Sequence, residues 1–338
     1  MIGPGLFDLQ VNGYAGVDFN DTALTAGALD RALEAMLADG VTGCLPTLIT
    51  ASPEQLHERF RALDDAVRLS RLGPAMVPGY HLEGPFLNAA EGYRGCHPPA
   101  AMIDPDPALI DRLDLTLSRP ILMVTLAPER RGGVEAIAAL HRRGKTVAIG
   151  HSAADHDGIA AAVQAGASLS THLGNGLPQD LPKLNNSLLA QLAQPGLQAT
   201  LIADGHHIPP AALAALIRLK GPENCILTTD AVVAAAAPEG RYCFAGMEIE
   251  RDAAGAVRQP GGIGLAGSAL CLDEAVRNLV AWNIAEAPLA LRMASDQPRA
   301  ALAASLAHHR IVLTAGEVAW NVALEPEVRK PGNSVRQE

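Results

Sequence analysis

The sequence predicts an α/β fold in which eight parallel strands, alternating with helices, close into a barrel. Short apolar runs rich in β-branched residues alternate with amphipathic segments over roughly the first 280 residues, and such alternation builds a parallel sheet. Acidic or histidine residues follow most of these runs, which favours a closed barrel with a site at the C-terminal ends of its strands. No Gly-x-Gly-x-x-Gly follows the first strand, so an open dinucleotide-binding sheet lacks its main signature. We therefore expect a (β/α)8 TIM-like barrel with a reduced C-terminal β appendage.

The eight predicted strands are short and mostly apolar. The first alternates apolar and polar side chains and stops at Gly13, as expected of a strand with two different faces. The later strands lead into turns that mostly begin with a polar residue. In chain order, the predicted strands are residues 6–13, 41–49, 76–82, 121–126, 146–149, 168–170, 199–202 and 225–227.

Apolar residues at helical spacing predict seven helices between and after these strands. Ser52 is a suitable N-cap before Pro53, which is compatible with a first helical position. Gly40, Gly144 and Gly166 are placed to end three of the helices. The predicted helices are residues 24–39, 53–72, 134–143, 157–165, 187–193, 210–219 and 270–283.

The pattern changes in the last part of the chain. We expect residues 1–300 to form the barrel and residues 301–330 to form a remnant of a small β-sandwich, with strands over 310–314 and 318–324. Residues 331–338 are expected to form a tail. The glycine-rich residues 261–267 lack the Lys-Ser/Thr ending of a phosphate-binding loop and predict a loop over the barrel mouth.

Composition excludes several classes of function. The net charge is −10 and no lysine or arginine cluster stands out, which argues against a nucleic-acid surface or a basic membrane patch. The first residues lack the basic and apolar blocks of a signal peptide, and no apolar run approaches the ~20 residues of a bilayer span. The five scattered cysteines include no Cys-x-x-Cys pair, so we expect reduced thiols in a cytoplasmic protein.

A glutamate, two histidines and an aspartate stand at the ends of predicted strands. Glu83 comes directly before a Gly-Pro turn, His151 and His172 follow two successive strands, and Asp230 follows the last one. Because the C-terminal ends of barrel strands meet at one mouth, these side chains can surround a single point. Neutral imidazole and carboxylate suit zinc or another divalent ion, and a carboxylate beside metal-activated water can act as general base and then general acid. Each residue also has a purely structural alternative. Glu83 could be an acid on a surface loop, His151 and His172 could be hydrogen-bonded core or surface histidines, and Asp230 could be a helix N-cap.

Eight short motifs in order resemble the N-acetylglucosamine-6-phosphate deacetylases of the amidohydrolase superfamily. Their order and spacing match over about residues 3–300, and they are PGLFDLQVNG, HLEGPFLN, GCHPP, GHSAA, THLGNGLP, IADGHHI, TTDAV and LAGSAL. The resemblance implies a metal-dependent β/α barrel that carries a small β-sandwich domain and commonly forms a homodimer. It also implies hydrolysis of the acetamide of an amino-sugar phosphate.

The resemblance also implies individual roles. The metal ligands would be Glu83, His151 and His172, and Asp230 would be the catalytic acid/base. The substrate contacts would be His97, His207, Asn175 and Gly176, the last two at a turn that holds the phosphate end. The cofactor would be one divalent metal ion, with zinc as the first candidate and iron, manganese or cobalt as alternatives.

Three departures from the family pattern shape these expectations. Gln10-x-Asn12 replaces a His-x-His pair, and because amides are weak ligands for transition metals, we expect one tight metal rather than two. Lys183 is the nearest cation where the family has an arginine contributed across the dimer, and lysine binds phosphate only as a point charge. The resemblance implies about fifty residues before the first strand that build the first half of the β-sandwich, and because this sequence opens almost directly on that strand, we expect a divergent member with a reduced appendage.

The expected function is metal-dependent hydrolysis of the N-acetyl amide of an amino sugar, with N-acetylglucosamine-6-phosphate giving glucosamine-6-phosphate and acetate. One alternative is another N-acyl amide amidohydrolase that acts on an unphosphorylated substrate. No lysine stands at a strand end where it could bridge two metals as a carbamate, which weighs against a binuclear relative of that kind. The other alternative is a non-catalytic ligand-binding barrel, which has no need of Asp230.

Overall fold

The computed structural model describes residues 2–262, 264–313 and 316–327, and the expected tail at 331–338 lies outside these ranges. Eight strands form one parallel sheet, and each strand pairs with its neighbours in chain order. We number them β1 (Leu6–Val11), β2 (Val41–Ile49), β3 (Tyr80–Glu83), β4 (Ile121–Leu126), β5 (Thr146–Ile149), β6 (Ala167–Ser170), β7 (Gln198–Leu201) and β8 (Cys225–Leu227).

The sheet closes on itself just beyond the ends of β1 and β8. The backbone N–H of Asp230 donates to the carbonyl of Gln10 at 2.9 Å, and the N–H of Asn12 donates to the carbonyl of Ala231 at 2.7 Å. These bonds continue the parallel ladder from the last strand to the first. The predicted eight-stranded TIM-like barrel is therefore confirmed.

Eleven α-helices within the described ranges surround or cap the barrel. They are α1 (Ala26–Ala38), α2 (Pro53–Leu69), α3 (Gly73–Met76), α4 (Pro107–Asp114), α5 (Gly133–Arg142), α6 (His156–Ala165), α7 (Ser187–Ala193), α8 (Pro210–Lys220), α9 (Leu272–Ala281), α10 (Ala287–Ala294) and α11 (Asp296–His308). The seven predicted helices correspond to α1, α2 and α5–α9. Ser52 caps α2 as predicted, in a capping box with Gln55.

The N-terminal end of the barrel interior is apolar and closed. Side chains from six strands, including Phe7, Leu45 and Ile226, pack there with Leu302 and Leu306 of α11. Arg299 of the same helix donates to the carbonyl of Gly5 at 2.8 Å and so fastens α11 across that end. The opposite, C-terminal end is left for the site, as in other barrels of this class.

Two small antiparallel sheets accompany the barrel. The insert sheet (Gly240–Phe244, Met247–Arg251 and Val257–Arg258) lies between β8 and α9 and was not predicted. The terminal sheet pairs Ile2–Pro4 with Glu317–Trp320, which in turn pairs with Pro326–Glu327.

The last part of the chain differs from the predicted pair of strands. The expected strand at 310–314 is wrong over its described part, because Arg310 takes a left-handed conformation (φ 57°) that ends α11. Ile311 then donates back to the carbonyl of Leu306 at 2.9 Å, which uses its N–H for a helix cap. The next strand is shorter than predicted and ends at Trp320. The expected domain boundary at residue 300 falls inside α11.

Within the described ranges, no helix combines the length and the apolar character that crossing a bilayer requires.

Candidate metal and catalytic site

The strand-end residues converge at the C-terminal mouth of the barrel. Glu83 is the last residue of β3, and His151, His172 and Asp230 lie two or three residues beyond β5, β6 and β8. Three of them adopt positive φ angles that are uncommon for non-glycine residues: 52° at His151, 29° at His172 and 50° at Asp230. The backbone thus turns sharply as each strand ends. Left-handed turns of this kind concentrate at functional sites.

Glu83 lies at the centre of a histidine cluster. Nε2 of His172 lies 2.9 Å from its Oε1, and Nε2 of His151 lies 3.3 Å from the same oxygen. Nε2 of His97 lies 3.6 Å from the other oxygen, Oε2. All four side chains are buried, and the ring of His151 makes edge contacts with both other rings, at centroid distances of 4.6 and 4.9 Å.

The hydrogen bond of His151 determines which of its ring nitrogens is free. Nδ1 lies 2.6 Å from the carbonyl of Tyr93, which can only accept, so Nδ1 carries the proton. In the neutral ring, Nε2 then presents a lone pair to a carboxylate oxygen, and it forms no hydrogen bond within the described residues. A cation between two lone pairs at this distance would remove their repulsion. The arrangement therefore fits a divalent metal, with the Tyr93 carbonyl orienting the ligand from behind.

The donor set agrees with this inference. One ligand atom each from Glu83, His97 and His151 lies within 4.8 Å of the others, and all three residues are buried. His172 contacts the same Glu83 oxygen as His151 does. Imidazole nitrogen and carboxylate oxygen suit zinc and related divalent ions. The structure thus brings together Glu83, His151 and His172, and it adds His97 to that group.

The pKa values of the cluster describe a charged carboxylate beside one neutral ring, that of His97. Burial alone would raise the pKa of Glu83, but the close contacts of its carboxylate with His151 and His172, together with the charge of His172, hold it well below its usual value. Burial lowers the pKa of His97 to about 3, against the opposing pull of Glu83. His97 is therefore neutral at physiological pH and keeps a lone pair for a ligand.

Asp230 is held by two amides from the end of β1. Nε2 of Gln10 and Nδ2 of Asn12 donate to its Oδ1 at 2.9 and 2.8 Å. Burial and the neighbouring negative charge of Glu83 raise the pKa of Asp230 to about 6, although His172, His207 and Asn12 act against the shift. The amide pair at positions 10 and 12 thus acts as a donor set for the carboxylate, and a raised pKa is typical of a general base.

A cavity of about 390 Å³ opens above these groups, within the range of roughly 300–1,000 Å³ common for small-ligand sites. Asn175, Gly176 and His207 line it, in addition to His97. His207 is fixed by Asp204, whose Oδ2 lies 2.6 Å from Nδ1 of the ring. Burial would raise the pKa of Asp204, but the hydrogen bond and charge of His207 outweigh it and the pKa is lowered.

Lys183 is the predicted residue that the structure does not bring to this cavity. It is exposed and is not among the residues that line the cavity. The sequence interpretation also missed the insert sheet, whose Phe244 and Arg258 form part of the wall. The strand Gly240–Phe244 alternates between more and less exposed residues, and this alternation in the sequence is the signal that could have predicted the insert sheet.

Comparisons with known proteins agree with this geometry. The chain is 37% identical over 296 residues to an N-acetylgalactosamine-6-phosphate deacetylase of Escherichia coli O157:H7, covering 87% of this chain and 76% of that protein. It is 35% identical over 336 residues to an N-acetylglucosamine-6-phosphate deacetylase of Danio rerio, covering 96% and 80%. No family model matches the chain.

Solved structures show the same relationship. An N-acetyl-D-glucosamine-6-phosphate deacetylase mutant from Mycobacterium smegmatis, in complex with N-acetyl-D-glucosamine-6-phosphate, superposes with a TM-score of 0.85 at 31% identity, over 96% of this chain and 84% of that one. The deacetylase from Pasteurella multocida gives a TM-score of 0.83 at 26% identity, over 96% and 83%. The chain therefore belongs to the family of N-acetylglucosamine- and N-acetylgalactosamine-6-phosphate deacetylases, which are hydrolases of an amide C–N bond.

Proposed function

We propose that this chain removes the acetyl group from an N-acetylated amino-sugar 6-phosphate, giving the free amine and acetate. The observation that carries the proposal is Asp230, held by two amides beside the Glu83–histidine cluster at the base of a sugar-sized cavity. The relative solved with N-acetyl-D-glucosamine-6-phosphate supports that compound as the first substrate to test. The N-acetylgalactosamine-6-phosphate deacetylase at 37% identity supports its C4 epimer as the second.

We assign Glu83, His151 and His172 to one divalent metal ion, zinc being the first candidate. His97 lies close enough to this group to serve the metal or the substrate carbonyl. A bound ion would polarise the acetyl carbonyl and make a water molecule more acidic, with a pKa towards ~7. Gln10 and Asn12 direct their N–H groups at Asp230 and are weak ligands for transition metals, which supports one ion per chain rather than two.

Different residues of the chain transfer the protons and bind the sugar. Asp230 accepts the proton of the attacking water, because one of its oxygens is fixed by Gln10 and Asn12 and the other is left for the substrate side. It then returns a proton to the leaving nitrogen. His207, oriented by Asp204, together with the turn at Asn175 and Gly176, binds the sugar and its distal end.

The first test is Asp230→Asn in the zinc-loaded protein. We expect turnover of N-acetylglucosamine-6-phosphate to fall by about 10²–10⁴-fold, because asparagine cannot carry the proton, while metal content stays at one ion per chain. Asp65→Asn, at an exposed helix position, is the matched control. Amine release gives the rate, and elemental analysis gives the metal. An Asp230→Asn protein with full activity would exclude the mechanism, and two tightly bound ions would exclude the one-metal assignment.

A substrate panel separates the alternatives. It contains both N-acetylhexosamine 6-phosphates, the two unphosphorylated sugars and an N-acetylated amino acid. Release from the phosphorylated sugars supports the proposal, and release only from the others supports a different N-acyl amidohydrolase. A protein that binds sugar phosphate, contains metal and releases no amine would be a non-catalytic barrel.

Two further assignments belong to this proposal. A homodimer is implied by the family resemblance, and light scattering of the purified chain tests it. A cytoplasmic location is supported by the five cysteines, all of which are free thiols. Fractionation of cells that express the tagged chain checks that location.

A further inference from the structure

We propose that Asp8 is a positioning residue for the reaction, which holds the backbone on both sides of the hydrogen bond between Gln10 and Asp230. The inference rests on the proposed function and deepens it, because it names the residue that keeps the free oxygen of Asp230 directed at the substrate. Asp8 is 1% exposed and is not among the residues that line the cavity, so it acts through Asp230.

Asp8 is a carboxylate in the interior of the fold, within β1. Burial raises the pKa of Asp8, and hydrogen bonds from Thr229, Thr228 and Gln10 offset only part of this rise. Within the described ranges, no cation pairs with it. Taking an ion out of water is costly, and a well-packed apolar residue at such a position is often equally stable or more stable. The stability of the barrel alone therefore does not account for a carboxylate at position 8.

The carboxylate of Asp8 fastens the turn that carries Asp230. Its Oδ1 accepts from Oγ1 of Thr228 at 2.7 Å and from the N–H of Thr229 at 3.2 Å, and its Oδ2 accepts from Oγ1 of Thr229 at 2.5 Å. Oγ1 of Thr229 accepts in turn from the N–H of Ala231 at 3.0 Å. The residues on both sides of Asp230 are thus tied to one side chain. The left-handed backbone of Asp230, with φ 50°, needs such support, because strained conformations persist only where their surroundings fix them.

The same carboxylate fastens the strand that carries Gln10. Oδ1 of Asp8 accepts from the N–H of Gln10 at 3.2 Å, at a place where the register of β1 against β2 shifts. Gln10 then contacts Asp230 twice. Its Nε2 donates to Oδ1 of Asp230 at 2.9 Å, and its carbonyl accepts from the N–H of Asp230, also at 2.9 Å. Asp8 therefore supports the donor and the acceptor of the bond that fixes Asp230.

This arrangement has a consequence for the rate of the reaction. Proton transfer requires the free oxygen of Asp230 within hydrogen-bond distance of the water and of the leaving nitrogen, and a displacement of about 1 Å can lower a rate about 100-fold. Without Asp8, the turn at Asp230 and the backbone at Gln10 could move independently. The loss should fall on kcat, because other residues of the cavity, His207 and Asn175, bind the sugar.

The test measures kcat and KM for N-acetylglucosamine-6-phosphate in the zinc-loaded full chain. We expect Asp8→Asn and Thr229→Val to lower kcat about 10–100-fold and to leave KM within about twofold of its value. Thr229→Val keeps the shape of the side chain and removes the hydroxyl that joins Asp8 to the turn. Thr229→Ser keeps that hydroxyl and should retain most of kcat. Elemental analysis should show the same metal content in all three variants.

Asp64→Asn is the matched control for the loss of a buried carboxylate. Asp64 is also buried, and it accepts from the hydroxyl of Tyr80 at 2.6 Å and from the N–H and Oγ of Ser118 at 2.9 and 2.8 Å. These partners lie at the start of β3 and before β4, away from the cavity. Asp64→Asn should lower the urea concentration at which the chain unfolds and leave kcat unchanged.

Several outcomes would overturn the inference. An unchanged kcat in Asp8→Asn or in Thr229→Val would do so, and so would an equal loss of kcat in Thr229→Ser or in Asp64→Asn. Loss of the metal from Asp8→Asn would also do so, because the effect would then lie at the metal and not at Asp230. If Asp8→Asn does not fold, the comparison of Thr229→Val with Thr229→Ser decides.

A failure of the proposed function is recognised separately. No amine release by the unaltered chain from any sugar overturns that function. In that case, a crystal structure of Thr229→Val still tests the positioning without turnover. Loss of the hydrogen bonds from Gln10 and Asn12 to Asp230 supports the role of Asp8, and the same bonds at unchanged distances overturn it.

Discussion

At the scale of single residues, the site depends on hydrogen bonds behind the reacting groups. The carbonyl of Tyr93 sets the tautomer of His151, and Asp204 sets the orientation of His207. Gln10 and Asn12 do the same for Asp230. The amide pair at positions 10 and 12 therefore supports the carboxylate of Asp230 directly.

Gly176 leaves room for the ring of His151, the proposed metal ligand. A Cβ atom at this position would lie 2.6 Å from Nδ1 of His151, in addition to the strain of φ +62°. We expect Gly176→Ala to push the ring away from the Tyr93 carbonyl and to weaken metal binding about 10–100-fold, as losses of supporting contacts usually do. Competition with a fluorescent chelator measures the affinity.

The matched control for that variant is Gly132→Ala. Gly132 also has a positive φ, +77°, but a Cβ there meets nothing within 4 Å. The Gly132→Ala variant should lower the free energy of unfolding by about 1 kcal/mol through backbone strain alone, and it should leave the metal affinity unchanged. Equal metal affinity in both variants would show that the His151 contact does not matter.

At the scale of elements, Asp18 joins the turn after β1 to the insert sheet. Its Oδ2 accepts from the N–H of Ala245 at 2.6 Å, and burial raises the pKa of Asp18 to about 6. The folded protein therefore holds this proton more tightly than the unfolded chain, whose aspartates titrate near 3.8. The contribution of Asp18 to stability is present at low pH and is lost as the pH rises through about 4 to 6.

Asp18→Asn tests this linkage because asparagine does not titrate. Between about pH 4.5 and 6.5, the free energy of unfolding of the unaltered chain should fall by about 1–2 kcal/mol relative to that of the variant. Urea denaturation at both pH values gives the change in the free energy of unfolding with pH for each protein. Subtracting one change from the other cancels the titrating groups that both proteins share. Parallel pH dependences would contradict the assignment.

Regular elements were the most predictable part of this molecule. Buried strands such as β4 are almost continuous apolar runs. The ends of β3, β5, β6 and β8 place Glu83, His151, His172 and Asp230 at one mouth by geometry alone. His97 and Tyr93 lie in a loop without periodicity, so its path could not be derived. The contact between Arg258 and the cavity depends on how a hairpin folds over a distant strand end, which no local pattern encodes.

At the scale of the whole molecule, the first described strand and the strand that ends at Trp320 pack together at the N-terminal end of the barrel. Trp320 is 1% exposed, and its ring lies against Gly40 at the start of β2, where any Cβ would be 2.5 Å from it. The strand that carries Trp320 pairs with Ile2–Pro4, directly before β1. This contact joins a segment near residue 3 to one near residue 320, at the end of the barrel opposite the site.

Trp320→Ala should therefore change stability and leave catalysis intact. We expect the free energy of unfolding to fall by about 3–5 kcal/mol, the usual loss for a large buried side chain. Urea denaturation measures it, and amine release at low temperature should be unchanged. Val322→Ala, in the exposed turn that follows, is the control. A loss of metal in Trp320→Ala would show that the two ends of the barrel are coupled.

The positive φ angles at His151, His172 and Asp230 have a consequence for the evolution of this chain. Each costs about 1 kcal/mol or more relative to glycine, and each lies at a residue of the candidate site. Heat resistance and the proposed activity therefore favour different residues at the same three positions. A library selected only for survival on heating should accumulate glycine there, so that the most heat-resistant clones would be the inactive ones.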